Sequence, residues 1–305
     1  GLNLWTVVGE EGPLVLLNSH TDTVPRGEGW SRDPLGEQVG GRFYGRGSND
    51  AKGPLVAMIL GVARYFAGGR RPGRVCLAAT CEEEVMGQGL EALLSHLPTP
   101  DAALVGEPTA LNPAVSQKGL VILEITARGR SAHVAHGGGV NAIIAAAKDV
   151  LALAELTFER EHPHLGSTTL AVTQIQGGER HNVIPDRCTL VVDIRLSPAY
   201  TPAEVVARVR EVVQGEVRVR SDRLAPVETP ADHPLVQAVL RARPGAVPYG
   251  SPTLSDWVFL RNLPAVKIGP GDSKRSHTPD EYIEIEELEQ GVTFYERFLE
   301  EYFGC

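Results

Sequence analysis

Leu14-Val15-Leu16-Leu17-Asn18-Ser19-His20-Thr21-Asp22 is the stretch on which the fold reading turns. Four apolar residues in a row, without the alternation of a half-buried strand, read as a strand covered on both faces. Such strands belong to α/β sheets. Two further runs, Arg74 to Thr80 and Ala102 to Val105, have the same character. Between them Leu55, Met58, Ile59, Val62, Ala63 and Phe66 recur at helical spacing, so a helix is expected over 54–66, stopped by Gly68-Gly69.

After the turn residues of 106–113 the pattern changes to strand (120–127), helix (140–156), strand (168–175), strand (189–196), helix (202–213) and strand (217–220). That order, β-α-β-β-α-β, is the split βαβ arrangement of a ferredoxin-like domain. Beyond Pro226 to Pro230 the α/β pattern resumes with a helix at 234–241, a strand at 265–268 and a closing helix from Ile285. The expected organisation is one α/β domain with a mixed sheet, built from residues 1–115 and 228–305, with a ferredoxin-like domain of residues 116–227 inserted in its middle.

The 305 residues carry 38 acidic and 29 basic side chains, a net charge of −9, which repels nucleic acid and anionic lipid. The longest apolar stretch, 140–156, is broken by Asn141, Lys148, Asp149 and Glu155, and no run approaches the roughly 20 residues of a membrane span. Neither nucleic acid nor membrane is expected as a partner. Cys76, Cys81, Cys188 and Cys305 contain no C-x-x-C pair and read as reduced thiols of a cytoplasmic protein, with Cys76 and Cys188 as small core residues.

Five segments put His or carboxylates after strands, in loops rich in Gly and Pro, where open α/β sheets bind ligands. His20 and Asp22 leave their strand on the same side because side chains alternate; they read either as a metal ligand with its orienting carboxylate or as a solvated loop pair. Asp50, in Gly45-Arg46-Gly47-Ser48-Asn49-Asp50, stands where a dinucleotide loop needs its third glycine, so phosphate cradling is excluded. A helix N-cap is the plain alternative for it. Glu82-Glu83-Glu84 repel one another and either splay into solvent or surround a cation. Glu107 and His277 complete the set. Two imidazoles among several carboxylates suit divalent ions of the zinc type, with enough ligands for two ions sharing one carboxylate. A serine nucleophile at Ser255 beside Asp256 lacks the G-x-S-x-G elbow.

The ordered series HTDTVP (20–25), GRGSNDAKG (45–53), TCEEE (80–84), GEPT (106–109), GRSAHVAHGGGVNAI (129–143), HNVIPD (181–186) and GPGDSKRSHTPDE (269–281) resembles the M20 family of metallohydrolases. The likeness is nearest to its acetylornithine deacetylase and succinyl-diaminopimelate desuccinylase branch. Members of that family carry a helical segment ahead of the first metal strand, and this sequence starts almost at that strand. The resemblance implies that His20 and Glu107 hold one zinc, Glu84 and His277 the other, and Asp50 bridges them, with cobalt as an alternative metal. It implies Glu83 as proton shuttle, Asp22 as the residue orienting His20, and a cis peptide after Asp50. The triplet 82–84 leaves shuttle and ligand ambiguous by one residue, and aligning Thr80 with the family threonine selects Glu83.

By the same resemblance the inserted domain is lid and dimer contact. His133 reaches the partner's active site of a homodimer, and Asn182 and Arg195 bind the substrate carboxylate. His136 is read as a surface residue or a local contributor. The expected activity is hydrolysis of the amide of an N-acyl amino acid, acetylornithine first. Succinyl-diaminopimelate, acyl-citrulline, carrier-linked lysine or ornithine and dipeptides stand as rivals, and a metal-binding regulator without catalysis as the non-enzyme alternative.

Overall fold

The computed structural model describes residues 1–85 and 87–304, so Cys305 lies outside the described residues. Among these, six α-helices form: α1 (Gly53–Ala67), α2 (Gly89–Leu94), α3 (Ala142–Glu155), α4 (Pro202–Val212), α5 (Pro234–Ala242) and α6 (Ile285–Phe303). The chain divides into two compact units, one of residues 1–116, 228–251 and 255–305, the other of residues 117–227 and 252–254. No helix of the described residues is long and apolar enough to cross a membrane.

The first unit is built on a mixed sheet. Its order runs Leu4–Val8, Arg74–Thr80, Leu14–His20, Ala102–Val105, Ala265–Lys267, Ala114–Gln117 and Val227–Glu228, with Tyr249–Ser251 paired beside Ala114–Gln117. Leu14–His20 is parallel to both of its neighbours and buried along its whole length, which explains its lack of alternation. Leu14, Val15, Leu16 and Leu17 are all fully buried, each large side chain contributing ~1.5–3 kcal/mol. The register sets His20 opposite Thr80 and Asn18 opposite Val105. The loops that follow these three strands, carrying Asp22, Glu83-Glu84 and Glu107, therefore leave the sheet side by side at the strands' C-terminal ends.

α1 lies over this sheet with Ala57, Met58, Val62 and Tyr65 buried, against Val292, Tyr295 and Phe298 of α6. The two helices approach closely at Gly61, where a Cβ would come within 2.6 Å of the Cβ of Tyr295. Three short strands, Glu37–Val39, Arg42–Tyr44 and Tyr282–Glu284, make a small separate sheet. These short strands, Leu4–Val8 and α2 are absent from the sequence reading. Leu4 and Trp5 are exposed on an edge strand, and three-residue strands are too short to show a period.

The second unit is a four-stranded antiparallel sheet in the order Thr169–Gly177, Arg187–Leu196, Gly119–Arg128, Glu216–Leu224. With α3 and α4 it forms the ferredoxin-like β-α-β-β-α-β unit. The strand Arg187–Leu196 alternates cleanly, with Cys188, Leu190, Val192, Ile194 and Leu196 fully buried. α3 starts at Asn141, whose side chain accepts the Ile143 N–H at 2.9 Å, and α4 starts in a capping box of Thr201 and Glu204. Asp149, only 2% exposed, accepts the N–H groups of Gln214 and Gly215 at 2.8 and 3.0 Å. A buried acid on α3 thus closes the turn after α4.

Candidate metal centre

His20 ends its strand with a side chain 1% exposed. Its Nδ1–H donates to the backbone carbonyl of Asp22 at 3.0 Å, with the Asp22 carboxylate farther off at 3.6 Å. That bond directs Nε2 toward Asp50 Oδ1 at 3.2 Å, Glu107 at 3.9 Å and Glu83 at 4.0 Å. A ring nitrogen held by a carbonyl while the other faces carboxylates is the arrangement of a ligating histidine.

Asp50 sits in a turn, Ser48–Lys52, that precedes α1, and its backbone departs from helical dihedrals at φ −124° and ψ 95°. The Asp50–Ala51 peptide bond is cis, as the resemblance implies. The N-cap of α1 is Lys52, so Asp50 does not serve as one. The turn is entered through Gly47 at φ 82°, where a Cβ would collide with Thr23 and Lys52. Oδ1 of Asp50 faces His20, and Oδ2 lies 3.6 Å from Nε2 of His277. His277, half exposed at φ 63°, also meets Glu84 at 3.0 Å.

Ligand atoms of His20, Asp50 and Glu84 lie within 4.8 Å of one another, as do those of His20, Glu83 and Glu107. Six of the side chains named from the sequence thus converge. Asp22 does more than flank His20: its carboxylate accepts the backbone N–H of Glu83 at 3.2 Å and of Glu84 at 3.1 Å.

The electrostatics are those of crowded acids. Burial, then the neighbouring Glu107, holds the Glu83 carboxyl well above the usual range. Burial and then Asp50 push Glu107 up to about 8, and the same two causes raise Glu84. Burial opposes charge on His20, yet its hydrogen bonds to Asp22 and Asp50 carry the imidazole up to about 12. Like charges at such distances call for a cation among them. Nitrogen and oxygen donors with no thiol fit a hard or borderline divalent ion, so the residues present suit a metal pair.

Two buried acids escaped the sequence reading of the centre. Asp256, pushed up to about 6 by burial, accepts the Thr80 hydroxyl at 2.8 Å. The adjacent Ser255 accepts the Trp257 N–H, a capping role. The other acid is Glu281, 1% exposed.

His133, Asn182 and Arg195 belong to the second unit. His133 pairs with Val183 across two short strands, and the Val134 N–H donates to the Asn182 carbonyl at 3.1 Å. His133 and His136 have ring centroids 5.2 Å apart, and both are exposed. Arg195 already grips a carboxylate, that of Asp193, at 2.8 and 3.1 Å. Around Val183, at the Arg187 end of the Arg187–Leu196 strand and away from Arg195, lies a cavity of about 650 Å3 lined by Ser131, Gly178, Glu179, Val183 and Asp186, among others.

The family model described as Peptidase family M20/M25/M40 matches residues 16–301. A succinyl-diaminopimelate desuccinylase of Rhodospirillum centenum is 31% identical over 99% of this chain and 84% of its own length. An acetylornithine deacetylase of Shigella sonnei is 33% identical over 92% of this chain and 78% of its own. Among solved structures, the YXEP protein of Bacillus subtilis, described as a dinuclear metal binding peptidase, shares the fold with a TM-score of 0.76 at 18% identity, over 97% of this chain and 84% of that one.

Proposed function

The chain belongs to peptidase family M20/M25/M40 and is an enzyme that acts on amides; from that premise we propose that it hydrolyses the amide bond of an N-acyl amino acid, with acetylornithine as the first candidate. The observation that carries the reading is the Asp50 carboxylate, whose two oxygens face two imidazoles, those of His20 and His277. In the proposal His20 and Glu107 hold one divalent ion, Glu84 and His277 the second, and Asp50 is common to both. Zinc is the proposed metal and cobalt the alternative. A bound pair of such ions acidifies water and polarises a carbonyl.

The protein's own contribution is proton handling and orientation. Glu83, raised by burial and by Glu107, is suited to take a proton from the attacking water and return it to the leaving amine. Asp22 keeps His20 in one tautomer through its carbonyl and holds the peptide that carries Glu83 through its carboxylate. In the second unit, Arg195 has a fork that already accommodates a carboxylate, which suits it to a substrate carboxylate. Asn182 is proposed to meet the substrate as well, but from the loop before Arg187, at the opposite end of the Arg187–Leu196 strand from Arg195, so the two do not share one carboxylate within one copy. His133 is proposed to act in a second copy of the chain, where it would steady the charge developing on the carbonyl oxygen.

A homodimer through the second unit is part of the reading. α3 exposes Ile143, Ile144 and Leu151, and the edge strand Thr169–Gly177 exposes Ile175. A cytoplasmic location accords with the free thiols of Cys76, Cys81 and Cys188. The test is a panel of acetylornithine, succinyl-diaminopimelate, an acyl-citrulline and a dipeptide, assayed after chelation and after return of zinc or cobalt. The reading expects activity restored by metal and the highest kcat/KM on acetylornithine. Hydrolysis that survives chelation, or a dipeptide as the fastest substrate, would overturn it.

A further inference from the structure

We infer that Glu281 is a positioning residue for Asp50, setting the carboxylate that the proposed reading makes common to both ions. Glu281 Oε1 accepts three backbone N–H groups of the Asp50 turn: Gly47 at 3.1 Å, Asn49 at 3.1 Å and Asp50 itself at 3.0 Å. Its other oxygen accepts from Arg46 at 2.6 Å, and the Arg46 side chain is only 8% exposed. Converging N–H groups of this kind form an anion-binding concavity, and here the occupant is a side chain of the protein.

The arrangement reaches the opposite end of the centre as well. Glu281 follows His277 by four residues and opens the strand Tyr282–Glu284, which pairs with Arg42–Tyr44 just ahead of the Asp50 turn. The Glu281 carbonyl accepts the Gly45 N–H at 2.9 Å. Asn49, fully buried, ties the same two loops a second time: it donates to the Asp272 carbonyl at 3.0 Å and to the Ser276 hydroxyl at 3.2 Å. Among the described residues Glu281 is the side chain that accepts the Asp50 N–H, while the Ser19 hydroxyl donates to the following carbonyl, that of Ala51, at 3.3 Å. A shift of the Glu281 carboxylate is therefore passed to the ligand whose two oxygens face His20 and His277. Residues that hold a ligand in this way alter metal affinity by about 10- to 100-fold.

The test uses the full chain with zinc and cobalt alone. Glu281→Gln keeps an oxygen for the three N–H groups but turns an amide toward Arg46, and Glu281→Asp keeps the charge but shortens its reach. Zinc affinity is read by chelator competition, the cobalt-loaded protein by its visible absorption, and the metal-free protein by its melting temperature. Both variants are expected to bind zinc about 10- to 100-fold more weakly with an altered cobalt spectrum. Affinity within twofold of the parent and an unchanged spectrum would overturn the inference, even if melting falls, and would leave Glu281 a purely structural acid. Should a variant fail to fold, Arg46→Gln, which loosens the same carboxylate from the other side, is judged by the same criteria. Asp50→Asn separates the two levels. If it binds two ions as tightly as the parent, the reading that makes Asp50 common to both ions fails; if it loses them while the Glu281 variants do not, only this inference fails.

Discussion

The carboxylate of Asp22 accepts the backbone N–H of Glu84 at 3.1 Å, although 62 residues separate the two in the chain. The bond joins the loop after one parallel strand to the loop after its neighbour. Through it, and through the companion bond to Glu83, the residue beside His20 also sets the position of the proposed shuttle and of one proposed ligand.

Replacing Asp22 by Asn leaves one oxygen where two N–H groups need acceptors, while the carbonyl contact to His20 survives. The expected outcome is a loss of about 10- to 100-fold in kcat/KM or in metal affinity, with little change in melting temperature. Unaltered kinetics and zinc affinity would show that the Glu83–Glu84 peptide holds its place unaided.

Glu83→Gln removes the proposed proton carrier but retains its shape. It is expected to keep its metal, as read by elemental analysis, and to lose about 10²- to 10⁴-fold in kcat. A variant that binds metal and turns over at the parental rate would transfer the proton role elsewhere.

Asp149 offers a check on the second unit that does not involve the centre. Asp149→Ala leaves the part-buried hydrogen bonds to the Gln214 and Gly215 N–H groups without their acceptor. Each such loss costs roughly 1–3 kcal/mol, so denaturant unfolding should reveal a clear drop in stability. A change below a few tenths would mean that water replaces the carboxylate.

The capping acid of α4 makes a prediction in pH. Glu204 is held down to about 2, from an ordinary 4.5, first by the Thr201 N–H, then by Arg160. A depressed carboxyl stabilises the fold above its unfolded pKa and ceases to do so as pH falls through its folded value. The stability difference between the parent and Glu204→Gln should therefore be constant above about pH 4.5 and shrink toward pH 2. Urea unfolding across that window tests it, and an equal difference at pH 3 and pH 6 would refute it.

The α/β character was legible because Leu14 to Leu17 and Ala102 to Val105 are apolar without interruption, as only strands covered on both faces are. The inserted ferredoxin-like unit was legible from the strand-like run at 189–196 and the helical stretch at 140–156. Side chains named from their place in loops after strands and from the family resemblance, His20, Asp50, Glu83, Glu84, Glu107 and His277, lie together in the fold. What stayed hidden was the scaffolding. Glu281 acts on backbone N–H groups more than 230 residues away, and backbone donors leave no mark on residue type. Leu4–Val8 pairs at the sheet edge with Leu4, Trp5 and Thr6 all exposed, so its burial is too partial to show in hydropathy.

The sharing of Asp50 by two ions is tested by anomalous diffraction at the zinc edge from crystals of the zinc-loaded protein. It predicts two peaks, with one Asp50 oxygen on each, His20 and Glu107 at the first and Glu84 and His277 at the second. A single peak, or a pair that leaves Asp50 uncoordinated, would contradict it.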